Sequence, residues 1–447
     1  MIVLQLMKDF ANWLWGIPML LYVVGGGLIM SARLGFLQFT KLRFILKNTI
    51  GKSFTQKTEK GKISGWQAVT GALASTLGAG NIIGTAMAVG FGGPGGVFWM
   101  WMSGFFCSVV KYCETTMAMT YRKRNDQKQW EGGPQIYLTA GTGWKWISPL
   151  YAVLCIICLF LAASAQIGSG VDNLVGLGTP RIATTVILTI MVGVVVIGGM
   201  KSLLKVTEKL VPFMSVLYMA GCIVVMFFNI DRLPEAFFSI FRYAFTGHAA
   251  LGGFIGATVT QSIRWGVARG CYSNDAGTGV TTIVHAVSDV NHPIQQSMWA
   301  IFEVFFDTIV VCSMTCMVVL SSGVWTQKID PAIMTATAFE NALGAFGGVL
   351  VTVAVVLFTF TTACAQIEFT EAQFIALVGE KARGVARWGM LALILLGGMV
   401  GISTLISYVD FFAGIYTLVN LLGVYWCGSK IVALTKEYFN DTCLLYT

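Results

Sequence analysis

Runs of about twenty or more apolar residues alternate with short polar segments along nearly the whole chain, the pattern of a polytopic bundle of transmembrane helices. Eleven runs qualify, roughly 13 to 31, 66 to 90, 97 to 120, 148 to 175, 182 to 199, 210 to 229, 248 to 269, 295 to 321, 345 to 378, 388 to 406 and 411 to 434. The ninth is long enough to predict a strong tilt or an interruption. The second, ALASTLGAGNIIGTAMAVGFGGPGG, and the seventh, GGFIGATVTQSIRWGVARGCYSNDAGTG, lose their apolar continuity partway across and predict broken helices, the latter around Gly270. If the second to sixth runs (66–229) form one repeat and the seventh to eleventh (248–434) another, the two interrupted runs open corresponding halves. They then cross in opposite directions, as an inverted five-plus-five repeat requires, with 13–31 as an extra N-terminal helix.

Composition agrees. Of 447 residues, 56% are hydrophobic and only 11% charged, too few polar groups to clothe a soluble fold, so one all-α membrane domain is expected. The +8 net charge is spread through the short connecting segments, where it sets topology and gives no sign of nucleic-acid binding. One side of the eleven-span arrangement collects 23 Lys and Arg, counting Arg264 and Arg269, and the other five, with Lys111 inside a span. That bias predicts a multi-pass plasma (inner) membrane protein with the N-terminus external and the C-terminus cytoplasmic. The apolar stretch after MIVLQLMKDF has no cleavage site and is expected to remain as the first helix. The 11 cysteines mostly fall inside apolar runs, Cys155 and Cys158 included, and read as buried thiols.

Main chain that leaves a helix at membrane depth must line a cavity, because lipid cannot satisfy it. At Leu77-Gly78-Ala79-Gly80-Asn81, small residues let a ligand approach the freed backbone. The half-helix starting near Asn81 offers N–H groups to a carboxylate, and the carbonyls of about Ala74 to Leu77 suit a hard cation such as sodium.

These residues also carry a resemblance. Gly71 to Phe105, with GAGNIIGTA and GGPGGVFWMW, resembles the sodium:alanine/glycine symporter family of the amino acid-polyamine-cation superfamily. So do Lys111-Tyr112-Cys113-Glu114 with Tyr121-Arg122 and Gly132-Gly133-Pro134, Arg264 to Gly279, and Asp307 to Cys312. The resemblance implies a leucine-transporter-like fold and a carrier that moves small neutral amino acids with Na+. It also implies that Asn81, Gln166 and Tyr272 face the substrate. A sodium site would comprise the carbonyls of Ala74, Leu77 and Phe358 and the hydroxyls of Thr361 and Thr362. On their own, Thr361 and Thr362 are equally readable as hydroxyls bonded back to the preceding turn, Gln166 as an interhelical bond, and Tyr272 as an interfacial aromatic.

The chain departs from the family pattern at four positions. Gln366 stands where a Trp is usual, Glu368 where the family is generally apolar, Ala79 for a common Thr and Asp275 for a common Glu. Gly78, Ala79, Gly80, Gln366 and Glu368 therefore join the expected substrate-binding set. An ionisable group inside a span is costly and usually functional. Glu368 is expected to meet a substrate ammonium or basic side chain, with cation or proton coupling as the second option and structural pairing as the plain one. Lys111 and Glu114, three apart, predict an ion pair on one helix face. Asp307 is expected to tie down the bundle.

No HExxH, GxSxG or phosphate-loop motif argues for an enzyme, and no repeated ligand ring argues for a channel. The expected function is a secondary symporter of a small, alanine- or glycine-like amino acid. The alternative is a proton- or sodium-coupled carrier of a more polar or cationic one. Its partners are the amino acid, sodium and the bilayer, it needs no organic cofactor, and a monomer is compatible with the site.

Overall fold

The computed structural model describes residues 2–53, 62–125, 128–246, 258–327, 329–399 and 402–444. Residues 248–257 of the seventh predicted span, and Lys57, Lys60 and Lys328 of the charge tally, lie outside the described residues.

The chain folds almost wholly into helices. They are α1 (Gln5–Arg33), α2 (Gly65–Thr76), α3 (Gly80–Gly92), α4 (Gly95–Tyr121), α5 (Pro134–Thr142), α6 (Ile147–Gly176), α7 (Arg181–Ile197), α8 (Gly199–Phe228) and α9 (Leu233–Thr246). There follow α10 (Val259–Asn274), α11 (Thr282–Ala286), α12 (Pro293–Ser322), α13 (Met334–Leu343), α14 (Ala345–Val378), α15 (Arg383–Gly397), α16 (Ile402–Trp426) and α17 (Gly428–Leu444). Among the described residues, six helices are long and apolar enough to cross a bilayer, or seven when α2 and α3 count as one bent span. The other predicted spans fall on α4, which carries buried charge, and on the shorter α7, α10 and α15. Ile182, Val194, Phe213, Phe227 and Trp388 stand exposed on outer faces, as lipid contact requires. This is a multi-pass membrane protein.

Two segments break as the loss of apolar continuity predicts, though not in the same way. Ser64 and Gln67 form a capping box that starts α2, which stops at Leu77 and resumes as α3 at an angle of 58°. Thr258 and Gln261 form the same box at the start of α10. That helix, however, runs unbroken through Gly270. Its interruption comes later, at Asp275 (φ 54°), Gly277 (φ 92°) and Gly279 (φ 78°), before the short α11. Gly266 and Gly270 are packing glycines: a Cβ there would meet the Gly96 carbonyl oxygen at 2.2 Å and the Ser103 hydroxyl at 2.1 Å, both on α4.

The ninth span is one continuous helix, α14, roughly 50 Å long at 1.5 Å per residue, so of the two alternatives for it, tilt or interruption, the interruption is absent. One further expectation needs correction. Arg264 and Arg269 were assigned to the same side as Lys430. In the fold Arg264 donates to Asn12 (2.6 Å) and Arg269 lies 3.9 Å from Asp410, whereas Arg33 donates to Ser429 (2.9 Å) at the opposite end of the first helix. The reason is the displaced break: α10 runs on past Arg269 to Asn274, so neither arginine marks the end of a span. The ten cysteines whose side chains are described are buried and free.

Candidate cation and substrate site

The first break exposes main chain by a specific exchange of partners. In a continuous helix the Ala74 carbonyl would accept from Gly78 and the Leu77 carbonyl from Asn81. Here the Gly78 N–H donates to Asn81 Oδ1 (2.9 Å) and the Asn81 N–H to the Gly78 carbonyl (3.2 Å). The two released carbonyls turn toward α14. The Thr362 hydroxyl lies 3.0 Å from the Ala74 oxygen, 3.2 Å from that of Leu77 and 2.9 Å from that of Phe358. One hydroxyl has one proton, so it cannot satisfy three acceptors at once. Three carbonyl oxygens and a hydroxyl oxygen converging on one shared proton make a pocket of negative potential suited to a hard cation. Thr361 is turned differently: its hydroxyl lies 3.2 Å from the Leu357 oxygen and 3.0 Å from that of Phe358, and 3.7 Å from Met214 Sδ. It shares only the Phe358 carbonyl with the cluster.

Beside the cluster lies a cavity of about 40 Å³. Ser75, Thr76, Gly78 and Gly80 supply one wall, Cys158, Leu159, Ala162 and Gln166 of α6 a second, and Val409, Ala413 and Tyr416 of α16 a third; Tyr272, Ser273, Asp275, Val280 and Gln366 complete it. Gln166 Oε1 accepts from the Ala79 N–H (3.2 Å), tying α6 to the break. Gln366 Oε1 is buried and has no partner among the described residues. The Ser75 hydroxyl donates to Asp275 Oδ2 (3.2 Å). Neither Ser75 nor Asp275 was in the expected site. The signal was present in Asp275 replacing a common Glu just ahead of two glycines.

Three expected substrate residues do not line the cavity. Ala79 presents its N–H to Gln166 instead. Asn81 is fully buried, and its amide nitrogen donates to Asp307 Oδ1 (2.6 Å) and Ser273 Oγ (3.0 Å). With its oxygen held by Gly78, that amide has become a brace. Glu368 follows Gln366 by two residues, roughly 200° around a helix, and so faces away from the cavity.

A buried polar network backs the second break. The Lys111 ammonium donates to Glu303 (2.7 Å) and to the Asn274 carbonyl (2.5 Å), the last of α10, where a cation also suits the helix dipole. Lys111 thus pairs with α12, not with Glu114 three residues on. Glu303 also bonds His285 (2.9 Å), and Glu114 accepts from Asn420 (2.5 Å). Asn420 in turn donates to the Gly277 carbonyl (2.8 Å), and Tyr151 donates to that of Thr278 (2.6 Å). Asp307 ties the elements together, accepting from Asn81, from Ser273 (2.7 Å) and from Thr308 (2.9 Å). It sits in a π-helical stretch of α12, Phe305–Cys312.

The α2 and α11 ends are latched. The Ile63 N–H donates to Asp289 Oδ2 (2.9 Å) while the Asp289 N–H donates to the Ile63 carbonyl (2.8 Å). Arg122 caps the carbonyls of Ala286, Ser288 and Val290. Burial there lowers the Arg122 pKa, against the opposing field of Asp289.

The model of the sodium:alanine symporter family matches residues 1–443. The chain belongs to that family. This member is 33% identical to the sodium/alanine symporter AgcS of Methanococcus maripaludis over 97% of each chain. It is 35% identical to the uncharacterized transporter YflA of Bacillus subtilis, covering 97% of this chain and 93% of that one. It is 32% identical to a putative sodium/proton-dependent alanine carrier, YrbD, of the same organism, over 95% and 90%. The family fold resembles that of a solved Na+-coupled sialic acid symporter, with a TM-score of 0.53, 10% identity and coverage of 92% and 85%. A manganese transporter of Eremococcus coleocola aligns with a TM-score of 0.51 at 10% identity, over 83% and 81%. This family member is a sodium-coupled transporter and not an enzyme.

Proposed function

We propose that the protein is a secondary active symporter in which sodium entry drives uptake of a small amino acid by alternating access. The observation that carries this reading is the meeting of the Ala74, Leu77 and Phe358 carbonyls at the Thr362 hydroxyl, beside backbone that faces the cavity. Sodium binds at those four oxygens, with Thr361, held on its own turn, contributing only weakly as a fifth ligand. The substrate carboxylate approaches the main chain at Gly78 to Gly80. Its ammonium meets Gln366 Oε1 and the Asp275 carboxylate, with Gln166 and Tyr272 closing around it.

Two five-helix halves, 66–229 and 248–434, rock against each other around this site, with the first helix outside the repeat, giving eleven spans. The charge bias supports a plasma-membrane carrier with its N-terminus outside and its C-terminus in the cytoplasm, even with Arg264 and Arg269 moved to the external side. A single chain carries the whole site. Asp275 in the cavity wall also supports the alternative of a more polar or cationic amino acid. Uptake into proteoliposomes with and without an inward sodium gradient, against neutral and cationic competitors, tests both. Accumulation only with sodium, blocked by alanine or glycine, is expected. Accumulation without sodium would overturn the coupling, and block by cationic competitors alone would favour the alternative.

A further inference from the structure

Glu368 lies six residues past Thr362 on α14, roughly 9 Å along the helix toward Val378. It is 5% exposed, and its Oε1 has no partner among the described residues. The charged groups that act on it are Glu371 on the same helix and Arg387 and Arg383 on α15. Both arginines are already engaged. Arg387 bonds Glu371 (2.7 Å) and the Ile197 carbonyl (3.1 Å), and Arg383 bonds Glu371 (2.8 Å) and Glu380 (2.9 Å). Among the other packed helices, α2 and α5 carry no charged residue, and α6 has only Asp172, bound to Arg181 at the start of α7. On α8, Glu208 accepts from Gln67, while Lys201, Lys205 and Lys209 are exposed and are not among the charges that act on Glu368. The Cys364 thiol, one turn back, is a further titratable neighbour.

An ionised carboxylate buried beside another carboxylate, with no cation or donor of its own, is strongly disfavoured; it survives there by holding a proton. The same end of the molecule is latched by Ile63 and Asp289, and Gln373 of α14 donates to Gln135 (3.2 Å). We propose that Glu368 is a proton-binding site: its carboxyl is protonated while the cytoplasmic half is closed and releases the proton to water when that half opens. The proposal rests on the alternating-access reading above. It makes reburial of Glu368, and hence each return to the closed state, conditional on taking up one proton from the cytoplasm.

The test is sodium-driven amino-acid uptake into proteoliposomes at fixed external pH, with the pH on the cytoplasmic face stepped from about 6 to 9. Wild type is expected to show a falling alkaline limb of about tenfold per pH unit above its midpoint, as a single required proton gives. Glu368→Gln, which needs no proton, is expected to be flat across the range, and Glu368→Asp to keep the limb with a displaced midpoint. A flat wild-type profile, or a Gln variant that falls as wild type does, would overturn the proposal. Should the Gln variant fail to fold, an Asp variant with an unmoved midpoint overturns it equally. Absence of sodium-driven uptake at any pH would remove the transport reading and this proposal with it, whereas pH-independent uptake removes the proposal alone.

Discussion

The two helix interruptions begin alike, each helix opening on a Ser or Thr three residues before a Gln, yet they are held by opposite means. Around Leu77 to Ala79 the freed carbonyls meet one neutral hydroxyl and the neighbouring chain faces a cavity. Around Asp275 to Gly279 the carbonyls are claimed by an ammonium, an amide and a phenol from three other helices. The first break is left with more acceptors than donors. The second is saturated and serves as a brace, offering the cavity only the Asp275 side chain. An open backbone at membrane depth is therefore a site only where its partners are left undersupplied.

The largest effect should come from removing the brace. Lys111→Met leaves Glu303 and the Asn274 carbonyl without their cation, and a buried pair broken on one side costs about 3 to 5 kcal/mol. The expected outcome is a marked drop in the melting temperature of purified protein; an unchanged melting curve would put the two breaks on an equal footing. Next, Thr362→Val keeps the shape and deletes the hydroxyl at the hub. Sodium affinity measured from the sodium dependence of uptake should fall on the order of a hundredfold, about 2.7 kcal/mol.

Gly78→Ala should be milder. Its Cβ would stand 3.0 Å from the Thr362 hydroxyl and 3.2 Å from Gln166, pushing both off their places. Uptake at limiting sodium should fall roughly tenfold, about 1.4 kcal/mol. The smallest effect belongs to Thr361→Val, since that hydroxyl bonds its own preceding turn. A change below about threefold, under 1 kcal/mol, is expected. A loss matching that of Thr362→Val would mean that Thr361 rotates fully into the cluster.

The first break was legible because Leu77-Gly78-Ala79-Gly80 interrupts an apolar run and its released carbonyls follow from helix geometry. The second was misplaced because Gly266 and Gly270 look like breakers in sequence while serving as contact points for α4. The brace was illegible for a different reason. Local spacing pairs Lys111 with Glu114, whereas its partner Glu303 is 192 residues away and is fixed only by tertiary packing. Asn81 was rightly placed at the break, but its side chain is consumed by Asp307, a contact no spacing rule reveals. Glu368 was placed at the pocket by proximity to Gln366, although a helix turns that near neighbour to another face.

The central claim is that three backbone carbonyls and Thr362 bind sodium. It is tested most directly by thermal melting of the purified protein titrated with sodium chloride against equal potassium chloride, in wild type and Thr362→Val. Ligand linkage predicts a sodium-specific, saturable rise in melting temperature for wild type that vanishes in the variant. An equal sodium-specific rise in both proteins would contradict it.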